Sequence, residues 1–280
     1  MHYAIYLSSI DQFSDPLLLA DLAGEAEAVG WDGVFIWDHI GCPHTAADPW
    51  VALSAMALKT RRIKLGPIVT PVARRRPWKL ARETVTLDRL SGGRLILGVG
   101  LGHSASSEFE TFGEPGDPKI RAQKLDEGLE VLAGLWRGES FSYRGKHYQI
   151  KDACFLPRPV QSPRIPVWAC GAWSNKRAPF RRAARWDGAI PIAPPGENRA
   201  ITPEEVAEVR AYMQRYRQTD APFDLVVILW SEGNATPEER QAVARYADAG
   251  VTWWVEDLST ERFSSLQDVR ERLHKGPPGV

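Results

Sequence analysis

The segment Asp-His-Ile-Gly-Cys-Pro-His places four side chains that bind metals or exchange protons within seven residues: Asp38, His39, Cys42 and His44. Zinc sites usually draw ligands from at least two separated segments, and no CxxC or HxxxH pair occurs elsewhere in the chain. We therefore predict no metal site. A histidine that follows a strand is better suited to donate a hydrogen bond or exchange a proton in a pocket, with simple capping of the strand end as the alternative.

A second candidate is the stretch LILGVGLGHS, in which an apolar strand ends in Gly98, Gly100 and Gly102. A dinucleotide-binding turn reads G-x-G-x-x-G and opens a helix, but His103 stands where the third glycine would fall. The polar residues that follow are broken by Pro and Gly, so we do not predict a Rossmann turn. Two interpretations stay open: the glycines form a tight turn, or they let a ligand approach the backbone.

Two further segments have the composition of anion sites. Arg74 and the two arginines after it form either an anion-binding loop, because guanidinium groups suit phosphates and carboxylates, or a solvated charge cluster. The segment Gly-Ala-Trp-Ser-Asn (171–175) passes from a strand into a helical segment. Its amides and the Ser174 hydroxyl predict a phosphate site at a helix N-terminus.

The elements that must position these residues are short apolar runs alternating with segments of helical period. We predict strands at 3–8, 33–38, 63–69, 94–100, 165–170, 188–192, 224–230 and 251–256. Runs that are apolar throughout are typical of parallel strands covered on both faces. Between them lie helix start and stop signals: Asp15-Pro16, Asp48-Pro49, Thr-Pro-Glu-Glu capping boxes at Thr202 and Thr236, and Gly30, Gly92 and Gly250 at the ends.

Eight strands that alternate with helices predict a single α/β domain over 1–280, a (β/α)₈ TIM barrel. The long interval between the fourth and fifth strands holds a helix at 118–136 and a pattern of aromatic and apolar residues around Arg144-Gly145, which predicts an inserted β-hairpin. In such a barrel the active site lies where the strands end. Further candidates for substrate or anion contacts at those ends are Ser8, Trp37, His103 and Trp173.

The composition excludes several classes of function. Lys+Arg and Asp+Glu both number 35, so the chain lacks the basic field that attracts nucleic acid. No apolar run approaches the roughly 18 residues that a membrane span needs, and the first residues do not resemble a secretion signal. Three scattered cysteines do not form a disulfide framework. We therefore expect a cytoplasmic protein that binds neither nucleic acid nor membrane.

The segment TPVARRRPWKLARETVTLDRLSGGRLILGVGLG (70–102) resembles the bacterial luciferase-like monooxygenase family of flavin- or deazaflavin-dependent (β/α)₈ barrels. VFIWDH in the second strand, RAQKLDEGLEVLAGLWRGESFSYRGKHY and RAARWDGAIP match the same family. The resemblance covers about residues 1 to 193 well and the rest more loosely.

This resemblance implies an oxidoreductase, in many relatives a monooxygenase, that uses reduced FMN or the deazaflavin F420 at the barrel mouth on a small organic substrate. NAD(P)H would be an electron source, and a flavin reductase and a second copy in a homodimer would be partners. His39 matches the family's histidine near the reactive face of the flavin, and a non-prolyl cis peptide is expected within 68–70. The implied cofactor contacts are Ile68, Val69, Thr70, Gly100, Gly102, Gly171, Ala172, Ser174 and Asn175.

Two alternatives stay open. A non-catalytic flavin-binding barrel would bind the cofactor without using His39. A cofactor-free barrel enzyme, such as a sugar-phosphate isomerase, would need a phosphate site after the seventh and eighth strands. The short loops at 231–235 and 257–260 speak against that second alternative.

Overall fold

The structure is a computed structural model that describes residues 1–40, 45–103, 105–194, 196–197 and 199–278. Cys42, His44 and Ser104 lie outside the described residues. Within them, nine strands form one sheet: β1 (His2–Leu7), β2 (Gly33–Ile36), β3 (Lys64–Pro67), β4 (Thr70–Pro71), β5 (Leu97–Gly100), β8 (Val167–Ala172), β9 (Gly188–Ile192), β10 (Asp224–Leu229) and β11 (Trp253–Asp257). Neighbouring strands are parallel, and their order in the sheet is β3-β2-β1-β11-β10-β9-β8-β5-β4.

The sheet closes on itself at the third predicted strand, which is divided into β3 and β4. Strand β3 pairs with β2, whereas β4 pairs with β5, and an isolated bridge joins Leu65 to Leu95. Between the two halves, the Ile68–Val69 peptide bond is cis, within the segment where the family resemblance places one. The predicted (β/α)₈ barrel is therefore confirmed. Among the described residues, the sheet has nine strands rather than eight because the third predicted strand is divided into two.

Glycines permit the close approach of the strands at this closure. A Cβ on Gly66 would lie 1.9 Å from the carbonyl oxygen of Ile96, and a Cβ on Gly98 would lie 2.3 Å from that of Pro67. Contacts this short are not tolerated, so side chains are excluded at both positions. Gly98, the first glycine of the LILGVGLGHS stretch, is thus explained by strand packing.

The helices run between the strands, and four of them begin at the predicted Asp-Pro and Thr-Pro signals. They are α1 (Pro16–Ala28), α2 (Pro49–Lys59), α3 (Pro77–Leu90), α4 (Ala105–Glu108), α5 (Pro118–Trp136), α6 (Ala178–Ala183), α7 (Pro203–Gln214), α8 (Pro237–Asp248) and α9 (Leu266–His274). Asp15 and Asp48 cap α1 and α2 through their carboxylates. Among the helices in the described part of the chain, none has both the length and the apolar character needed to cross a bilayer.

One of the two predicted capping boxes is complete and the other is only half formed. Thr202 and Glu205 exchange both hydrogen bonds at the start of α7. At α8, Thr236 accepts from the amide of Glu239, but the Glu239 carboxylate accepts from the amides of Gly233 and Ala235 instead. The loop before α8 thus offers this carboxylate two donors. The prediction of the second capping box is therefore wrong for the hydrogen bond from the Thr236 amide to Glu239.

An antiparallel pair, β6 (Phe141–Arg144) and β7 (Gln149–Ala153), lies in the chain between the fourth and fifth barrel strands, β5 and β8. This is the position of the predicted hairpin. Phe141 and Tyr143 pack against the core, and the Tyr143 hydroxyl donates to Glu130 of α5 at 2.9 Å. The hairpin is therefore attached to the outer side of the barrel through α5.

Alternate residues of each strand fill the barrel. The inward side chains form one apolar cluster: Ala4, Phe35, Ile68, Ile96, Trp168, Ile190, Val226, Trp253 and Val255. The outward side chains belong to a larger cluster between the sheet and the helices. The inward-facing residues nearest the carboxyl ends of the strands form the barrel mouth, and their side chains are partly exposed.

Candidate active site

Asp38 follows β2 and is the most buried acidic group of the mouth. Its carboxylate accepts hydrogen bonds from the Thr70 hydroxyl at 2.8 Å, from Arg74 Nη2 at 2.6 Å and from Arg75 Nη2 at 2.7 Å. The side chain of Asp38 is completely buried. A buried carboxylate requires this compensation, since taking an unpaired charge out of water costs several kcal/mol. Asp38 therefore joins the end of the second barrel strand to the end of the third.

Arg74 continues this network to the loop after the fourth barrel strand. Its Nη1 donates to Glu108 Oε2, while its Nη2 also donates to the main-chain oxygen of Asp38 at 2.9 Å. The side chains of Arg74 and Glu108 are each 5% exposed. The interpretation of this arginine run as a solvated cluster is therefore wrong for Arg74, because its charge is paired inside the protein.

His39 completes the network, and we call Asp38, His39, Arg74, Arg75 and Glu108 together the mouth cluster. Nδ1 of His39 lies 3.1 Å from Glu108 Oε1. An ionised carboxylate only accepts hydrogen bonds, so in this pair the proton sits on Nδ1. The neutral imidazole then presents a bare Nε2, for which the described residues provide no partner. Nε2 is thus placed to accept a proton.

The surroundings of His39 favour its neutral form. Burial lowers the pKa of the imidazole from 6.5, the positive charge of Arg74 lowers it further, and Asp38 and Glu261 act in the opposite direction. The side chain of His39 is nevertheless 31% exposed, so one side of the ring can be reached. A reachable, neutral imidazole with a fixed tautomer is the arrangement expected of a general base.

Beside His39, the floor of the mouth is apolar. Tyr6, Val69, Cys170 and Ile228 pack partly exposed against the barrel interior. The Tyr6 hydroxyl donates a hydrogen bond to the carbonyl oxygen of Ile68 at 2.8 Å, so the proton of this hydroxyl is already bound within the protein. Burial raises the pKa of the Cys170 thiol to about 12, so this cysteine is not a thiolate nucleophile.

Trp37 lies between this floor and the histidine. Its ring centroid is 6.0 Å from that of Tyr6 and 5.3 Å from that of His39. The indole Nε1 of Trp37 is buried and has no hydrogen-bond partner within the described ranges. A buried donor without a partner commonly indicates a ligand or water that supplies one. An apolar floor with such a donor fits the flat ring of a flavin or deazaflavin.

The predicted glycine contacts have explanations within the protein. A Cβ on Gly100 would lie 2.7 Å from Val69, one on Gly102 would lie 2.9 Å from Pro71, and one on Gly171 would lie 2.3 Å from Pro179. Their lack of side chains therefore serves packing between loops and strands. Contacts between these backbones and a cofactor stay a prediction.

The predicted phosphate site after the fifth barrel strand is arranged differently from the expectation. Helix α6 begins at Ala178 with Arg177 as its N-cap, so Ser174 lies three residues before the cap. The Ser174 hydroxyl accepts from the amide of Lys176 at 3.3 Å, and its carbonyl oxygen accepts from Arg177. The prediction of a helix N-terminus at Ser174 is therefore wrong, because the chain forms a turn there first.

The remaining predicted residues are distributed around the mouth. Ala172 ends β8, and Asn175 is exposed in the turn that follows. Trp173 is buried, with its Nε1 donating to Glu208 at 3.1 Å, so it belongs to the packing between α6 and α7. Ser8 is also buried, and its hydroxyl accepts from the amide of Thr260 at 3.1 Å. His103 is exposed on the loop after β5.

Sequence reasoning did not select Tyr6 as a site residue. It placed Arg75 only in a candidate anion-binding loop and Glu108 only near the end of the fourth predicted strand, and it assigned neither of them a contact with Asp38 or His39. For Tyr6 a signal existed, because inward positions alternate along a strand and place Tyr6 at the mouth two residues after Ala4. Glu108 ends the four-residue helix α4 and meets His39 from 69 positions away. No local pattern signals a contact of that kind.

Comparison with known proteins agrees with the family resemblance that the sequence motifs indicate. The family model described as luciferase-like monooxygenase matches residues 14–275. An F420-dependent glucose-6-phosphate dehydrogenase of Microbacterium testaceum is 34% identical over 180 residues, which are 62% of this chain and 52% of that protein. The chain thus spans about half the length of this curated relative.

Two solved structures share the fold. An F420-dependent secondary alcohol dehydrogenase in complex with an F420–acetone adduct has a TM-score of 0.78 at 17% identity, covering 98% of this chain and 96% of that one. The oxygenating constituent of 3,6-diketocamphane monooxygenase of Pseudomonas putida, in complex with FMN, has a TM-score of 0.67 at 16% identity, covering 99% and 78%. At these identities, the likeness shows the common barrel fold.

Proposed function

The chain belongs to the luciferase-like monooxygenase family, and from this premise we propose that it is an F420-dependent oxidoreductase acting on a small organic alcohol or carbonyl compound. His39 is proposed to exchange the substrate's proton. The observation that carries this proposal is the bare Nε2 of a neutral, reachable imidazole beside an apolar floor. A neutral, reachable base of this kind suits proton exchange coupled to hydride transfer.

Two comparisons favour F420 over FMN. The curated relative from Microbacterium testaceum carries an F420-dependent dehydrogenase name, and the F420-dependent alcohol dehydrogenase matches almost the full length of both chains. The FMN-containing monooxygenase has a lower TM-score and is covered only to 78%. In the F420 reaction neither O₂ nor NAD(P)H is required, so a flavin reductase partner belongs to the FMN alternative.

Bound F420 would supply the acceptor or donor of a hydride. In alcohol oxidation, the substrate's O–H bond breaks as Nε2 of His39 takes the proton, and the carbon gives up its hydride with two electrons. Glu108 holds Nδ1 and thereby keeps Nε2 available for that proton. The reverse reaction returns the same proton from His39 to the oxygen of a carbonyl compound.

The residues proposed to hold the cofactor ring are those of the floor. Val69 and Ile228 offer apolar surface, and the unpartnered Nε1 of Trp37 offers a hydrogen-bond donor. The predicted contacts of the cofactor tail with the backbone at Gly102 and with Gly171 belong to the same proposal. A homodimer also stays a prediction.

The first experiment titrates the protein separately with F420 and with FMN and follows the ligand's fluorescence. We expect F420 to bind more tightly. Tight binding of FMN alone, with O₂-dependent turnover, would instead support the monooxygenase alternative. Binding of neither would contradict the proposal and revive the cofactor-free barrel.

The second experiment measures the substitution His39→Gln with a panel of alcohols and the visible absorbance of oxidised F420. Loss of a general base is expected to lower kcat by about 10²- to 10⁴-fold, with the affinity for F420 largely unchanged. The matched control is His274→Gln, which alters an exposed histidine that also faces a glutamate. Undiminished turnover in His39→Gln would remove His39 from its role.

A further inference from the structure

Arg74 contacts both acidic groups of the mouth cluster with one guanidinium. Nη2 donates to the carboxylate of Asp38 at 2.6 Å, and Nη1 donates to Glu108 Oε2. The other oxygen of that same glutamate faces Nδ1 of His39. The guanidinium therefore forms the connection between a completely buried aspartate and the carboxylate that orients the histidine.

This geometry has two consequences for Glu108. A planar guanidinium fixes the plane of a bound carboxylate, which a flexible ammonium group does not do. An adjacent positive charge also favours the ionised carboxylate, the form that can only accept a hydrogen bond from Nδ1. The amide of Ile40 points at the same carboxylate from 3.3 Å and adds to its orientation.

We propose that Arg74 is the positioning residue of the proton-exchanging pair: by bridging Asp38 and Glu108, it keeps the proton of His39 on Nδ1 and leaves Nε2 bare. The catalytic consequence rests on the proposed function, whereas the effect on His39 is a property of the protein alone. Arg74 acts through Glu108 and has no contact of its own with the imidazole that would make it a catalytic residue.

The charges that face His39 do not all act in one direction. Glu108, Asp38 and Glu261 favour the imidazolium, and Arg74 opposes it. Arg75 acts only indirectly, since it binds the Asp38 carboxylate at 2.7 and 2.8 Å. Removing the positive charge at position 74 should therefore raise the pKa of His39.

The test is an NMR titration of the His39 imidazole in the protein without cofactor, comparing the wild type with Arg74→Gln. We expect the pKa of His39 to rise by about 1, the size of shift that an adjacent charge produces. The acid limb of the kcat/KM profile should move to higher pH with it, so activity on that limb falls about tenfold and recovers as the pH is raised. An unchanged titration would overturn the proposal.

A second variant covers the case in which Arg74→Gln does not fold. Arg74→Lys keeps the charge but cannot hold two carboxylates in one plane, so imidazole ¹⁵N shifts should show loss of the single Nδ1–H tautomer. A wild-type tautomer population in Arg74→Lys would also overturn the proposal. Arg270→Gln, in an exposed cluster, is the control expected to leave both signals and turnover unchanged.

The two proposals fail in different ways. The NMR signals are read without cofactor, so failure to bind F420 or FMN contradicts the proposed function and leaves the role of Arg74 open to its own test. Conversely, an F420-active enzyme with an unchanged His39 titration in Arg74→Gln would keep the function and reject the positioning role.

Discussion

Among the described residues, the mouth cluster has a counterpart of similar chemistry on the opposite face of the barrel. In this base cluster, Glu25 binds Arg270 at 3.1 Å and lies 3.0 Å from Nε2 of His274. Its position at the amino ends of the strands follows from Trp31, which precedes β2 and donates to the carbonyl oxygen beside His274. Both clusters place a glutamate between an arginine and a histidine.

The surroundings of the two clusters differ. In the base cluster, the histidine side chain is 52% exposed and the arginine 40%, so water and ions reach the charges. In the mouth cluster, the glutamate is nearly buried and its arginine is shared with a second, completely buried carboxylate. Burial and the added Asp38, rather than the residue types, therefore distinguish the mouth cluster from the base cluster.

The largest expected effect is a difference in the free energy of unfolding when the glutamate of each cluster is replaced. Glu108→Gln removes one of the two carboxylates that pair with the buried Arg74. Removal of one partner from a buried charge pair costs about 3–5 kcal/mol. Glu25→Gln breaks an exposed pair and should cost about 1 kcal/mol or less. Urea unfolding of both variants measures the difference. Equal losses would show that burial does not distinguish the clusters.

The next effect concerns pH. Because the folded protein lowers the pKa of His39 below 6.5, the unfolded chain binds more protons in that interval, and stability rises with pH there. As the pH falls below 6.5, the wild type therefore loses stability, with a limiting slope of about 1.4 kcal/mol per pH unit for one proton. His39→Gln should remove this loss.

The measurement is the free energy of unfolding of the wild type and His39→Gln from about pH 5 to about pH 8, where histidine titrates. His274→Gln is measured in parallel, and the comparison is decided by the difference between the two slopes. The same change of slope in both variants would contradict a special environment at the mouth.

The barrel could be predicted from the sequence because its signals are local. Apolar runs, Asp caps at Asp15 and Asp48, and glycines at helix ends lie within a few residues of the structure that they specify. The predicted hydrogen bond from the Thr236 amide to Glu239 in the second capping box is absent for a local reason as well. Glu239 has two competing backbone donors in the preceding loop, and the motif itself contains no information about them.

The site was predictable only in part. His39 and Thr70 could be selected because they follow strands, and strand ends meet at the mouth. The role of Arg74 was not predictable, since a guanidinium run looks the same whether its partner is a ligand or a carboxylate of the chain. Its partner Glu108 lies in the short helix α4, 34 positions along the chain, and only the closed barrel brings the two together.

The smallest expected effect is the response to salt, which tests directly whether solvent reaches each cluster. The Debye length falls from about 30 Å at 0.01 M salt to about 3 Å at 1 M, so the cost of Glu25→Gln should decline by about 0.3–0.5 kcal/mol. The cost of Glu108→Gln should stay constant over the same range, because ions cannot enter a site where both charged side chains are 5% exposed. Parallel decline in the two variants would mean that solvent screens the mouth cluster too. Burial could then no longer explain why His39 is held neutral.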